Sequence, residues 1–486
     1  MPKETTSKKN NHQEKESQSQ INPNINKISK EKNMKVPGVV FASPQLFSKI
    51  KQDKTLEQIK NVATLPGIVE KSIAMPDAHQ GYGFPVGGVA AFNLKTGVIS
   101  PGGIGYDINC GVRLLASNIT KEKFLEKRSQ MLKELDSKVP SGVSKNSELR
   151  LTDKEISEVL LKGSRWALEK GFAVPEDLEN TEDSGCIPGA DPKKVSQKAR
   201  GRGHAQLGTL GSGNHFLEVQ VVEEIFNQET AKTFGLKKNQ VVVLIHCGSR
   251  GLGHQTCSDY IKKMEDEFGF DHLADRELAC APLKSQVAKD YIGAMNAAAN
   301  FAFCNRQIIT HKTRESFKTF FPKSSLKVVY DIAHNIAKFE DLEIKGKTTK
   351  LCVHRKGATR SFGPRRKELP KDYQKTGQPI FIPGSMGTYS YVLVGTKEAE
   401  KISFASTAHG AGRVMSRTKA KQTLSIEKVK ANLKSHGVIF KAGSDQGLLE
   451  EAPESYKDVS EVVRVSDELG IGKLVAKLKP LAVVKG

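Results

Sequence analysis

The feature that most constrains this chain is where its apolar runs stop. Strand-like segments end at a polar residue with glycine or another turn former close behind: Val241–Ile245 runs into His246, Leu326–Tyr330 into Asp331 and His334, and Pro379–Ile382 into Gly384 and Ser385. Such endings place reactive side chains on loops at strand ends, where a rigid sheet positions them. Glycine is concentrated in Gly81–Gly111, Gly201–Gly213, Gly248–Gly253 and Gly384–Gly412, segments where backbone must approach something closely. Strands and helices do not alternate regularly, and no repeat of fixed period is visible. The pattern therefore predicts an α+β fold, a single compact domain with irregular mixed sheets and active-site loops at strand ends.

Helical periodicity is clear in two places. One is Lys121–Lys138, with Phe124, Leu125, Met131, Leu132 and Leu135 on one stripe; the other follows a capping box at Thr152 and Glu155, buries Ile156, Val159, Leu160 and Ala167, and ends at Gly171. Residues 1–34 are almost devoid of apolar side chains and read as a disordered tail, leaving residues 35–486 as the folded domain.

Composition narrows the partners. No apolar run approaches the roughly 20 residues needed to cross a bilayer, and the N-terminus has neither a secretory h-region nor the acid-poor character of a transit peptide. A cytoplasmic or nuclear protein without membrane contact is expected. Seven dispersed cysteines with no CxxC pair predict reduced thiols. The net charge is +21, and since residues 1–36 hold eight Lys against four Glu, most of that excess belongs to the folded body. A basic surface favours polyanions such as RNA.

The chemistry-bearing residues cluster in the glycine-rich segments. Asp107 and Cys110 share one turn, so a carboxylate and a thiol able to bridge two ions can converge on metal. His215, His246 and His334 occupy similar loop contexts and complete a set sufficient for two metals; His79, His204, His254 and His354 remain competing ligands. His409 is followed by Gly410, Ala411, Gly412 and Arg413, an unhindered backbone with a guanidinium, suited to phosphate or to imidazole attack on phosphorus. Arg250, Arg355, Lys356, Arg365, Arg366 and Arg417 are further basic candidates for phosphate contact. There is no P-loop, because Asp341 stands where its first glycine should be, and no Lys-x-Asp/Asn-Gly element. Nucleotide chemistry here would use neither route.

Seven ordered segments then carry a resemblance: Met75-Pro-Asp-Ala-His-Gln-Gly-Tyr-Gly-Phe-Pro-Val-Gly-Gly, Asp107-Ile-Asn-Cys-Gly-Val-Arg, Gly211-Ser-Gly-Asn-His-Phe-Leu-Glu, His246-Cys-Gly-Ser-Arg-Gly, Ala333-His-Asn, Pro383-Gly-Ser-Met-Gly-Thr and Ala408-His-Gly-Ala-Gly-Arg. Together they closely resemble the RtcB family of tRNA-splicing RNA ligases, from about Pro37 to the C-terminus, with residues 171–200 looking like a variable insertion. The resemblance implies two Mn²⁺ ions, one on Asp107, Cys110 and His215, the other on Cys110, His246 and His334. It implies attack of His409 on the α-phosphorus of GTP, transfer of the guanylate to an RNA 3′-phosphate made from a 2′,3′-cyclic phosphate, and sealing by a 5′-hydroxyl. It further implies Asn214, Ser385 and Gly410–Arg413 at the GTP phosphates; Glu218, Tyr456 and Lys485 at the guanine; and Arg250, Lys356 and Arg417 on RNA. Broken RNA ends and tRNA halves would be the substrates, with an archease-like activator and tRNA-ligase complex subunits as partners. The alternative from the same chemistry is a two-metal phosphodiesterase or phosphatase acting on RNA ends without GTP.

Overall fold

A computed structural model describes residues 22–142 and 147–486. Its two main sheets are mixed, as the irregular order of elements predicts. The six-stranded sheet runs Ile25–Ile28, Gly38–Phe41, Ile68–His79, Val86–Asn93, Lys347–Lys356 and Asn335–Ile344. The eight-stranded sheet runs Leu326–Ala333, Gly111–Thr120, Gln240–Cys247, Phe216–Ile225, Lys473–Lys485, Ser390–Val394 and Pro379–Ile382, with Ile439–Ala442 parallel to Lys473–Lys485.

Register in the larger sheet brings the predicted strand ends to one edge. Ala333 pairs with Gly111, Gly111 with Cys247, and Phe216 with His246. Cys110, His215, His246 and His334 therefore leave or enter the sheet side by side. Their strands are apolar through the middle because both faces are covered, so Val241–Ile245 is buried throughout.

A 35-residue helix, Gln286–Phe320, packs against the larger sheet. Its Ala-rich first half suits close packing, while Asn305, Arg306, Gln307 and Thr310 are fully buried polar groups directed at the strand ends. Such groups are stable inside only when hydrogen-bonded, and their partners prove to be the loops of the site.

The sequence periodicities are refined in detail. Lys121–Lys138 is two helices, Lys121–Leu125 and Arg128–Lys138, separated at Glu126 and Lys127. The capping box at Thr152 and Glu155 forms with both reciprocal hydrogen bonds, but Gly163, at φ +56°, interrupts the helix between Lys162 and Ser164. No described helix is long and apolar enough to cross a membrane.

One reading of the N-terminus changes. Within the supposed tail, residues 22–34 are ordered: Ile25–Ile28 pairs antiparallel with Gly38–Phe41, the Asn26 amide donates to the Ala42 carbonyl at 2.8 Å, and Asn24 and Met34 are buried. Two isoleucines and a methionine are enough when the edge strand's backbone is paired; residues 1–21 lie outside the described residues. Residues 171–200 pack into the fold. Glu182 is buried there, accepts from the Ala333 backbone N–H at 2.8 Å and pairs with Lys338, supporting the strand end that carries His334.

Candidate active site

Cys110 lies at the centre of the sheet edge. Its Sγ is 3.4 Å from His215 Nε2 and 3.3 Å from His246 Nε2; His246 Nε2 is 3.3 Å from His334 Nε2, and His215 Nε2 is 2.7 Å from Asp107 Oδ2. Two donor groups result, Asp107/Cys110/His215 and Cys110/His246/His334, sharing the thiol. Tetrahedral bonds of about 2.0–2.3 Å put neighbouring donors about 3.3–3.6 Å apart, so the spacing suits a cation. His215 Nδ1 donates to the Leu210 carbonyl at 2.9 Å, so Nε2 is the nitrogen presented to the cluster; it bears a proton toward Asp107 until a cation displaces it. Without a cation, burial pushes the Cys110 thiol up to about 12, helped by the Asp107 carboxylate; a coordinated cation removes that proton.

The turn carrying Asp107 and Cys110 is tightly set. The Cys110 N–H donates to the Asp107 carbonyl at 3.0 Å, and Asn109, at φ +54°, donates its backbone N–H to the Asn335 carbonyl at 2.7 Å. A Cβ at Gly248 would come within 2.3 Å of Asp107 Oδ2, so glycine after Cys247 keeps the carboxylate in place.

Behind the cluster the long helix acts as a clamp. Arg306 donates to the carbonyls of Asn109 and Cys247, both at 2.8 Å, and to the Asp331 carboxylate, which Arg113 also binds at 2.7 Å. Asn305 accepts from the Gly208 N–H at 2.6 Å and donates to the Gly248 carbonyl at 3.2 Å. The backbones on either side of Cys110, His246 and His334 are thus tied to one helix turn.

His409 stands beside the cluster, its ring centroid 4.8 Å from that of His334. A short two-stranded sheet makes the placement: Ala358–Arg360 pairs with Ser406–Ala408, and the Ala358 N–H donates to the His334 carbonyl at 3.1 Å. His409 Nδ1 is 2.6 Å from Asp77 Oδ2, and the same oxygen accepts from the backbone N–H groups of His409 at 3.0 Å and Gly410 at 3.3 Å. Asp77 is fully buried; burial opposes its ionisation, but His409 and these hydrogen bonds hold its carboxyl below the usual range. Gly412, at φ +72°, passes so close to the Asp77 carbonyl that a Cβ would lie 2.0 Å from it. Nothing larger fits.

Around His409 opens a cavity of about 650 Å³. Asn214, Ser385, Gly410–Arg413, Tyr456, Lys485 and Arg417 are among the residues that line it. Arg413 stacks 5.0 Å over the Tyr456 ring and donates to the Tyr456 hydroxyl at 3.1 Å, to Glu451 at 3.3 Å and to the Glu450 carbonyl at 2.8 Å. Lys485 donates to the carbonyls of Gly213 and His215, and burial draws its pKa down to about 8.

Several sequence candidates take different places. Glu218 does not line the cavity; it is buried, accepts from the Gln220 amide, and burial pushes its pKa up to about 8. Arg250 also lies off the cavity, donating to Thr209 at 3.4 Å against Gly211. Lys356 lines it but donates to the Tyr82 and Phe84 carbonyls. Arg417 lines it too, half-exposed and paired with Glu451 at 3.2 Å. Arg355 is interior, in a bidentate pair with Glu340, and Arg366 pairs with Glu368. None of the four competing histidines joins a donor group. His204 pairs with Asp153, His354 accepts from the Ser100 N–H, and His254 is exposed; only His79 reaches the cavity, near Asp77.

Asp77, Asn305, Arg306 and Glu451 were not singled out from sequence. Asp77 lay in a quoted motif, but nothing in its spacing pairs it with His409. The other three have no local pattern at all.

Fold and site define an α+β enzyme built round a cluster of thiol, imidazole and carboxylate able to hold a metal ion. The family model described as "tRNA-splicing ligase RtcB" matches residues 58–486. The "tRNA-splicing ligase RtcB" of Archaeoglobus fulgidus is 51% identical over 93% of this chain and 95% of its own, and that of Nanoarchaeum equitans 50% over 96% and 98%. The "RNA-splicing ligase RtcB homolog 1" of Entamoeba histolytica is 48% identical over 89% of this chain and 83% of its own. The chain belongs to the RtcB family of RNA ligases.

Proposed function

We propose that this protein joins RNA 2′,3′-cyclic-phosphate or 3′-phosphate ends to 5′-hydroxyl ends, using GTP, two Mn²⁺ ions and a guanylate carried on His409. The observation that carries this reading is the Asp77–His409 contact beside the donor cluster. A carboxylate on Nδ1–H fixes the tautomer, stabilises the imidazole as it gains positive charge, and leaves Nε2 free as nucleophile.

In this scheme His409 Nε2 attacks the α-phosphorus of GTP, a P–N bond forms, and pyrophosphate leaves. An RNA 3′-phosphate oxygen then takes the guanylate, breaking the P–N bond and restoring the histidine. Attack of the 5′-hydroxyl oxygen on the activated RNA phosphorus closes the phosphodiester and releases GMP. Asp107, Cys110 and His215 would hold one cation, Cys110, His246 and His334 the other, supplying charge neutralisation at the phosphoryl oxygens. Thiolate and imidazole intrinsically favour Zn²⁺, so Mn²⁺ use rests on metal supply and on the family.

The lining at Asn214, Ser385 and Gly410–Arg413 suits phosphates, since it offers backbone N–H groups and a guanidinium. Tyr456 and Lys485 suit the guanine, with Glu218 reaching it only after exchanging its Gln220 partner. Lys356 and Arg417 line the cavity where an RNA end would enter, with Arg250 behind the turn of Asp107. An archease-like activator and tRNA-ligase complex subunits, in cytosol or nucleus, complete the reading.

The test is GTP and Mn²⁺ added to RNA bearing 5′-hydroxyl and 2′,3′-cyclic-phosphate ends. A joined product that requires GTP supports the proposal. End hydrolysis without joining and without GTP use would establish the phosphodiesterase alternative.

A further inference from the structure

The cavity is also lined by Gln80, Gly81, Gly105, Tyr106, Asn335 and Lys356. Tyr106 is the residue immediately before Asp107, so this part of the lining adjoins the donor cluster. Its ring stacks on His254 with centroids 4.7 Å apart and planes 24° apart, and meets Tyr82 at 5.5 Å and 61°. Tyr82 and Tyr106 are half-buried and His254 is exposed, so three rings form one aromatic cluster that remains open to solvent.

Charges of both signs surround it. Burial holds the His254 pKa down, exposed Arg202 is close enough to lower it further, and Lys356 lines the cavity. The nearby carboxylates are already engaged: Glu277 accepts from the Gly83 N–H at 2.8 Å, Glu265 pairs with Arg276 at 3.0 Å, and Asp53 accepts from the N–H groups of Thr55 and Gln80 at 2.8 and 2.9 Å. Partly open rings with basic side chains nearby, and with the neighbouring carboxylates held in hydrogen bonds or an ion pair, fit single-stranded nucleic acid, because any base can stack while cations follow the backbone.

We propose that the Tyr82–Tyr106–His254 cluster receives the unstacked base of an RNA strand whose terminal phosphate or hydroxyl lies at the donor cluster. The inference rests on the RNA-joining reading and deepens it: the strand end would be held by a base-tolerant stack, and the same site would accept ends of any sequence. Base-edge readout is not needed there, since the rings offer no directed set of donors and acceptors.

The experiment measures binding without reaction. Dye-labelled single-stranded RNAs, one ending in a 3′-phosphate and one in a 5′-hydroxyl, each with a normal or an abasic terminal nucleotide, are titrated with the full chain and Mn²⁺ in the absence of GTP. In wild type the abasic end should weaken binding about tenfold for the strand that uses the cluster, and the arm that responds identifies which end it is. Tyr106→Leu should weaken the normal strand to a similar degree, and the two changes combined should cost no more than either alone, since they remove the same contact. His254→Leu, at an exposed position that does not endanger folding, should show the same non-additivity, while Tyr106→Phe should retain the base dependence. Additive losses in both arms, or unchanged affinity in the leucine variants, would overturn the proposal. If wild type forms its GTP adduct and joins RNA but the coupling is additive, the base platform alone fails. If the coupling is found but no adduct forms, the joining reaction fails and the platform stands.

Discussion

Asp77 and His409 are 332 residues apart in the chain, yet Oδ2 of the one lies 2.6 Å from Nδ1 of the other. A buried carboxylate with three hydrogen bonds converging on one oxygen fixes both the ring and the backbone that follows it. Asp77→Asn keeps the shape but can present an N–H to Nδ1, favouring the tautomer with its proton on Nε2. The rate of GTP adduct formation should fall by about 10²–10⁴-fold with circular dichroism unchanged. A variant that labels with GTP as fast as wild type would remove Asp77 from the reaction.

Cys110 belongs to both donor groups, so its loss should be felt at both. Cys110→Ala is expected to bind fewer than two ions per chain by elemental analysis, and to lose guanylation and joining together. Chelation should lower the melting temperature of wild type and leave that of the variant nearly unmoved, because a ligand stabilises only a fold that binds it. Two ions retained in the variant would refute the shared-thiol arrangement.

Arg306 is the hub that sequence could not reveal. It is buried, bonds the carbonyls of Asn109 and Cys247 and pairs with Asp331. Arg306→Met leaves those carbonyls without their donor and Asp331 with Arg113 alone, and should cost about 3–5 kcal/mol in urea unfolding. Arg306→Lys, which keeps the charge but not the fork, should recover part of that loss. Stability unchanged in the methionine variant would show that the clamp is idle.

How far the site was legible follows from these residues. Cys110, His215, His246, His334 and His409 were visible because each stands in a glycine-rich loop at a strand end, a local pattern. The α+β class was legible for the same reason, since broken periodicities are local too. Asp77, Arg306 and Glu451 act through partners hundreds or tens of residues away, and no spacing rule connects them. The strand Ile25–Ile28 escaped because composition averages over a window, whereas an edge strand needs only a paired backbone and a few apolar contacts.

That strand divides the N-terminus into two experiments. Removing residues 1–21 should leave adduct formation and melting temperature near wild type, with at most a salt-sensitive loss of RNA affinity from the lysines removed. Removing residues 1–34 takes away Ile25–Ile28 and buried Met34, and should lower stability by about 2–5 kcal/mol. Equal melting temperatures for the two truncations would mean that the edge strand contributes nothing.

His409 carries the sharpest expectation. Its Nδ1 is occupied by Asp77, so a guanylate can form only on Nε2, and the product is a phosphoramidate that acid cleaves and alkali spares. With α-labelled GTP and Mn²⁺, wild type should label at His409, while His409→Ala should carry no label and should not seal RNA ending in a 2′,3′-cyclic phosphate. The same variant should still join an RNA whose 3′-phosphate has been capped with guanylate beforehand, because that substrate bypasses the nucleophile and needs only the cluster and correct positioning. Label persisting on the variant, or mapping to a lysine, would rule out the histidine route even if RNA joining remained. Failure on the capped RNA would mean that His409 also acts in the sealing step, through its contact with His334.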